Sequence, residues 1–403
     1  GGETVSNGQV VQAAIEAPQR GLVHPDRPGH FFASPQEYVR WYHAKNPASK
    51  TWPTVGVLLY RKHVISELPY IPQLVRHMEE QELLPLPLFI TGVDGHIAVR
   101  DSLTSEHETA QVARGDIERN PTLSPDAVNV DAVVSTIGFP LVGGPAGSME
   151  GARQAELAKE ILLAKNVPYF VAAPLLIQDV KTWFEQGIGG LQSVVLYALP
   201  ELDGAIDAIP LGGLCCGDKN FCNSQRDLAN CPREGGEIRL VEERLSALTT
   251  RIKKWTGLRK KAPKDRKVAI VLYGYPPGIG ATGTAALLNV PQSLHELLAK
   301  MKAEGYDVGE KLPAPEDLVE MVRVADTESE SGRGFKNSEY ADGGGGTVTV
   351  RRLEGWLGKS DTARVAGNWG GGLDKSGIRT VGSGDGGEML LGGRMFGNVW
   401  IAV

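Results

Sequence analysis

A repeated strand–helix–strand rhythm beginning at Thr54 narrows the fold of this chain more than any other feature. Thr54–Tyr60 is a continuous β-branched and apolar run, His63–Gln81 carries its apolar residues at helical spacing, and Pro85–Ile90 is apolar again. Apolar strands alternating with helical segments predict a parallel sheet with helices over both faces. The rhythm then repeats: Ala132–Ile137 reads as a strand, Met149–Ala164 as a helix rich in Ala, Glu and Lys, and Val167–Ala173 as another buried strand. Ser193–Leu199 follows as a shorter apolar strand. A doubly wound α/β domain over residues 50–212 is the economical assignment.

The flanks divide by composition. Residues 1–49 read as a linker and one helix, started by Ser34-Pro35-Gln36-Glu37, in which the serine hydroxyl caps the third backbone N–H. Residues 213–262 combine a polar, cysteine-bearing loop with an amphipathic helix over Glu237–Leu258 that ends in Arg259-Lys260-Lys261. A second α/β unit spans 263–325, with a strand at Val268–Tyr273 and helices at Pro291–Glu304 and Glu316–Ala325. Residues 326–403 turn to Gly, Ser and charge, with β-like runs only at Thr347–Leu353 and Met395–Val403, which predicts a partly irregular region continuing in a longer protein. With 403 residues, the chain also exceeds what a single core usually supports.

Several function classes are set aside by the same composition. The formal net charge is −6 and the basic residues are scattered, so no face for nucleic acid is evident. The most apolar window, Val167–Ile177, contains Pro168 and Pro174 and is far too short to span a bilayer. Gly1-Gly2 and the polar residues after them read as an internal cut or a tag scar, so any targeting segment is expected to lie outside this chain. The 4 cysteines all fall between Cys215 and Cys231. Their spacing lacks the paired hooks of a zinc site, and a loop insertion with free thiols is the expectation.

Two strings mimic phosphate-binding loops. Gly358-Lys359-Ser360 resembles the end of a P-loop, but Leu353 stands where the leading glycine belongs. Gly278-x-Gly280-x-x-Gly283 matches the dinucleotide fingerprint, yet Pro276-Pro277 stiffens its start and no acidic residue sits on a clear second-strand tip. Neither predicts a nucleotide site.

The stretch Leu196-Tyr197-Ala198-Leu199-Pro200-Glu201-Leu202-Asp203-Gly204 is read as a turn leaving an apolar strand, with two carboxylates one residue apart. That suits an acceptor site at the mouth of a cleft; a solvated acidic turn is the alternative. The glycine-studded loop Gly138–Ser148 follows a strand, and Gly143, Gly144 and Gly147 allow backbone to approach a flat ligand or simply make a tight turn. His63 follows the first strand, at the edge where doubly wound folds hold ligands, and could relay protons or ligate a metal; a surface histidine starting a helix is the plain alternative. Arg61 beside it could hold a carboxylate by paired hydrogen bonds. Tyr275 and Asn289 are expected at strand ends of the second unit. Glu106-His107-Glu108 is expected to be a solvated run, since adjacent residues diverge on helix or strand.

Taken in order, Gly138–Ser148, Leu196–Gly204 and Tyr275–Val290 resemble the large porphyrin-binding subunit of magnesium chelatase and the related large subunit of cobaltochelatase, over about Ser34 to Val403. The resemblance implies a ligase that forms nitrogen–metal bonds, inserting Mg²⁺ into protoporphyrin IX at the entry to chlorophyll or bacteriochlorophyll synthesis. It implies ATP hydrolysis on separate AAA+ motor subunits, I and D, rather than here. Metal insertion needs apolar walls for the macrocycle, an acceptor for two pyrrole protons, and oxygen ligands that strip water from a hard cation. The resemblance places Glu201 first as acceptor and Mg²⁺ ligand, with Asp203 and His63 as further catalytic residues. Arg61, Gly143, Gly144, Gly147, Tyr275 and Asn289 become substrate-binding candidates. A cobaltochelatase acting on a corrin precursor, and a porphyrin carrier or sensor without catalysis, stay open. The compartment expected is the cytoplasm of a photosynthetic bacterium or a chloroplast stroma, and this fragment alone is expected to be inactive.

Overall fold

The computed structural model describes residues 4–6, 9–11, 17–91, 95–142, 151–218, 220–221, 237–273, 288–322, 347–369, 380–381, 388–390 and 393–402. The chain divides into two compact units, Gly1–Gly257 and Leu258–Val403.

The first unit is built on a five-stranded sheet. Its strands are β1 (Gly21–Leu22), β2 (Thr54–Tyr60), β3 (Leu84–Ile90), β4 (Ala132–Ser135) and β5 (Tyr169–Val171), in the order β1-β3-β2-β4-β5. All pairs are parallel except β1 with β3. The chain moves from β2 to one side for β3 and to the other for β4, so the topological switch of a doubly wound sheet lies between β2 and β4. Pro85 and Pro87 are accommodated because their nitrogens share one side of β3. Leu84 N–H donates to Pro53 O on the β2 side at 2.9 Å; on the other side β1 pairs with Leu88 and Phe89, and Val23 N–H donates to Pro87 O at 3.2 Å. The missing donors therefore fall on the side where the β1 ladder runs out, not on the β2 side.

Both faces of the sheet are covered, which explains its continuous apolar strands. Leu58, Leu86, Val133 and Val171 face one layer, with Tyr38 and Tyr42 of α1 (Pro35–Lys45) and Ile161 of α6 (Gly151–Lys165). Val55, Val57, Val134 and Phe170 face the other, with Leu74 and Met78 of α3 (Tyr70–Glu80) and Leu245, Leu248 and Ile252 of α10 (Glu242–Lys260). The intervening helices are α2 (Arg61–Ile65), α3 (Tyr70–Glu80), α4 (Gly95–Ser102), α5 (Glu106–Arg114) and α6 (Gly151–Lys165). The single helix expected over His63–Gln81 is thus two, broken where Glu67 adopts φ 50° ahead of Pro69. Ser34 caps α1 as expected, its Oγ accepting Glu37 N–H at 3.2 Å.

Beyond β5 the structure departs from the strand expected at Ser193–Leu199. The chain instead runs through α7 (Val180–Gln186), α8 (Gly190–Ser193), a π-helical turn over Val194–Ala198, and α9 (Leu199–Leu202). Gln192, Leu196, Pro200 and Asp203 are buried, while Leu191, Val194, Ala198 and Glu201 are exposed. Spacings of three and four are helical, and a seven-residue window rich in Val, Leu and Tyr hid them.

Gly212–Leu214 pairs antiparallel with Ile238–Leu240, so a hairpin closes the base of the cysteine segment before α10 (Glu242–Lys260). Cys215 is disulfide-bonded, which corrects the free-thiol expectation; its partner lies outside the described residues. Cys216 is outside any disulfide, its Sγ 4.0 Å from Asp218 O.

In the second unit, Val268–Val271 pairs parallel with Val399–Ala402, which pairs antiparallel with Arg394–Phe396. Leu294 and Leu298 of the helix Val290–Ala303 pack with Val399 and Ile401. Thr347–Thr349 is a strand, but Val350 opens a helical stretch to Trp369, where a β-like run and irregular chain were expected.

Candidate functional site

Glu201 and Asp203 sit at the end of a helical run rather than in a turn leaving a strand. α9, which carries Pro200, follows the π-helical turn of Val194–Ala198 directly, inside one continuous helical run. Gly204 then adopts φ 98°, which ends the helix. Glu201 projects to solvent. The same exposed face carries Leu191 (71 % exposed), Val194 (50 %) and, beside Glu201, Leu202 (73 %). An apolar stripe with a carboxylate at its end therefore runs along this exposed face.

Asp203 lies on the buried side, 6 % exposed. Its carboxylate accepts the backbone N–H of Leu141. Burial pushes its carboxyl above the usual aspartate range, and the nearby backbone N–H groups of Leu141 and Val142 oppose that shift. Leu141 and Val142 end the described part of the loop leaving β4. The same loop touches the helical run once more: Gly138, at φ 72°, has no room for a side chain, since a Cβ there would stand 2.5 Å from Leu196 Cδ2.

His63 is interior, not a surface helix start. Its Nδ1 lies 2.9 Å from Tyr70 Oη, and the rings of Tyr60 and Tyr70 flank it at 5.2 and 5.7 Å. Burial, with a smaller contribution from the Lys62 charge, lowers its pKa to about 4, so it is neutral near pH 7. Thr136 Oγ1 donates to Leu58 O at 2.9 Å, which ties β2 to the exit of β4 at the switch. Among the described residues, no hydrogen bond or ring contact joins His63 to Glu201.

Arg61 spends its guanidinium on the chain before β1, donating from Nε to Pro18 O and from Nη2 to Ala17 O, both at 2.7 Å. Asn289 is a helix cap rather than a strand end, its Oδ1 accepting Gln292 N–H at 3.1 Å. Gly143, Gly144, Gly147, Tyr275 and the Gly278–Gly283 string lie outside the described residues. Gly358 (φ 77°, ψ 170°) marks a kink between two helical segments, not a strand–loop–helix.

Two clusters were not legible in the sequence. Glu108, placed in a solvated run, is buried and bonds Lys165 Nζ at 2.9 and 2.8 Å, with Thr104 Oγ1 at 2.7 Å. Lys165 stands 57 residues away in sequence and gave no local signal. Burial lowers the Lys165 pKa, and the Glu108 hydrogen bond opposes it. A cavity of about 510 Å³ beside this pair is lined by Arg100, His107 and Leu157, and Glu201 is not part of it. His24, Asp26 and Glu79 bring ligand atoms within 4.8 Å of one another. Lys45 and Arg76 already pair with both carboxylates there, so that cluster is a charge network, not a cation site.

A family model described as CobN/Magnesium Chelatase matches residues 2–403. The magnesium-chelatase H subunit of Chlorobaculum parvum is 35 % identical over 312 residues, covering 77 % of this chain and 21 % of that protein. The chloroplastic magnesium-chelatase ChlH protein of Oryza sativa is 29 % identical over 395 residues, 95 % of this chain and 24 % of that protein. The aerobic cobaltochelatase CobN protein of a Sinorhizobium species is 26 % identical over 290 residues, 69 % of this chain and 19 % of that protein. The chain therefore spans about a fifth to a quarter of these relatives. Among solved structures, the catalytic subunit of cobaltochelatase from Mycobacterium tuberculosis superposes with a TM-score of 0.61 at 21 % identity, covering 96 % of this chain and 27 % of that one. That likeness concerns the fold. No helix among the described residues is long and apolar enough to cross a membrane.

Proposed function

Because the chain belongs to the CobN/magnesium chelatase family, we propose that it is part of the porphyrin-binding subunit of an ATP-dependent magnesium chelatase, which inserts Mg²⁺ into protoporphyrin IX. The observation that carries this reading is the exposed Glu201 carboxylate at the end of the Leu191–Val194–Leu202 stripe. A planar apolar macrocycle lies against such a stripe by burying its face, at roughly 25 cal/mol per Å² removed from water. The macrocycle gives up two N–H protons as the ion enters. An adjacent carboxylate accepts a proton and offers an oxygen to a cation that sheds its water reluctantly. An interior, neutral His63 supports the frame at the sheet switch instead. ATP is hydrolysed on AAA+ partner subunits I and D, and the compartment is the cytoplasm or chloroplast stroma of a chlorophyll-making cell.

Magnesium is favoured over cobalt by the higher identity to the magnesium-chelatase relatives. The test is Glu201→Gln in the full-length protein, assayed with motor subunits, ATP, Mg²⁺ and protoporphyrin IX. The amide keeps the shape but neither the charge nor the basicity, so insertion falls about 100-fold or more while porphyrin affinity stays within about twofold. Full insertion activity, or equal loss of binding, rules the reading out. Turnover with Co²⁺ and a corrin precursor instead identifies the cobalt enzyme, and binding without turnover by the wild-type complex identifies a carrier.

A further inference from the structure

The loop that leaves β4 is held at successive points. Thr136 begins it, with both its N–H and its Oγ1 donating to Leu58 O, at 3.0 and 2.9 Å. Gly138 presses against Leu196 and Ala173, where a Cβ would meet atoms at 2.5 and 3.1 Å. Leu141 then connects in two directions. Its carbonyl accepts His96 N–H at 3.0 Å, fixing the first turn of α4, and its N–H donates to the Asp203 carboxylate. A backbone donor aimed into a protein interior needs an acceptor, and the Asp203 carboxylate supplies it for Leu141.

We propose that Asp203 is a positioning residue whose carboxylate fastens α9 to the exit loop of β4, through the Leu141 N–H, and thereby fixes the turn on which Glu201 stands. Asp203 takes no proton from the substrate and makes no bond to the metal ion. A one-residue separation within a single turn couples the two groups: any shift of the anchor moves the exposed carboxylate with it. Charge-assisted bonds to backbone N–H groups are stronger than neutral ones, so the carboxylate holds the loop better than an amide would. The consequence for catalysis rests on the reading of Glu201 given above; the anchor itself does not.

The experiment uses the full-length protein with Asp203→Ala and Asp203→Asn, beside Glu201→Gln. Backbone hydrogen exchange is read at Leu141 and His96, with Val133–Ser135 of β4 as the internal control. In Asp203→Ala, exchange at Leu141 rises about tenfold or more and that at His96 follows, while the β4 amides keep their protection. Asp203→Asn gives a smaller rise, and it serves alone if the alanine variant does not fold. In the reconstituted insertion assay, kcat falls about tenfold with KM for Mg²⁺ unchanged, the pattern of a misplaced group rather than a lost ligand. Unchanged exchange at Leu141 overturns the anchor, as does protection lost uniformly through β4. A KM for Mg²⁺ raised about tenfold, with kcat recovered at saturating ion, makes Asp203 a ligand and also overturns it. Should Glu201→Gln retain full activity, the reading of Glu201 fails while the exchange data still decide the role of Asp203.

Discussion

Gly138 and Leu196 meet so closely that the loop leaving β4 and the helical run before Glu201 fit together only because one of them lacks a side chain. A Cβ on Gly138 would stand 2.5 Å from Leu196 Cδ2, and the glycine also takes φ 72°, a region that side chains resist. This contact and the Asp203 carboxylate hold the same loop from the same helical run, which is what sets the exposed Glu201 apart from its buried neighbour.

Gly138→Ala therefore combines overpacking with backbone strain and is expected to lower stability by about 2–4 kcal/mol. The check is the urea midpoint at an unchanged m-value. A loss under about 0.5 kcal/mol means that Leu196 moves aside freely and the contact does not constrain the loop.

The Lys165–Glu108 pair predicts an asymmetric pattern. Glu108→Ala strands a buried ammonium and takes the partner from Thr104, at a cost of about 3–5 kcal/mol. Replacing both ends with apolar residues of similar size, Glu108→Leu with Lys165→Met, is expected to recover most of that loss. Thermal denaturation of the three variants decides it: equal damage from single and double changes removes the ion pair as the cause.

How much of this was legible in the sequence depends on whether the partners are local. Thr54–Tyr60, Leu84–Ile90 and the Ser34 cap announce themselves through composition and spacing within a few residues. The segment over Ser193–Leu199 misled because β-branched and aromatic residues suit either period, and only the burial of Leu196, Pro200 and Asp203 together reveals a helix. Glu108 was misjudged for another reason: its partner Lys165 arrives from a distant helix. The Glu201-x-Asp203 pair was legible as a place, but their opposite burial was not, since a two-residue interval points the same way in a strand and apart in a helix.

His63 supplies a pH dependence. Its folded pKa of about 4 lies below the ordinary 6.5, so between those values the unfolded chain binds more protons than the folded one. Its contribution is complete above about pH 6.5 and is lost as pH falls toward 4, amounting to at most about 3 kcal/mol and less where solvent reaches the ring. Urea midpoints at pH 5 and pH 7 are expected to differ in that direction in the wild type, and by less in His63→Gln. A variant that keeps the full slope assigns it to other groups.

The apolar stripe makes the last prediction, and it separates a ligand surface from an accidental patch. Leu191 and Leu202 are 71 % and 73 % exposed, so replacing both with Gln removes little packing and is expected to change stability by under about 0.5 kcal/mol. If protoporphyrin IX covers them, each loses roughly half the benefit of a buried leucine, about 1 kcal/mol, and the affinity falls about tenfold to thirtyfold. Fluorescence titration of the porphyrin against the full-length double variant measures this beside its melting temperature. Affinity equal to wild type at equal stability would show that the macrocycle binds elsewhere, and the Glu201 carboxylate would lose the wall that makes it a candidate acceptor.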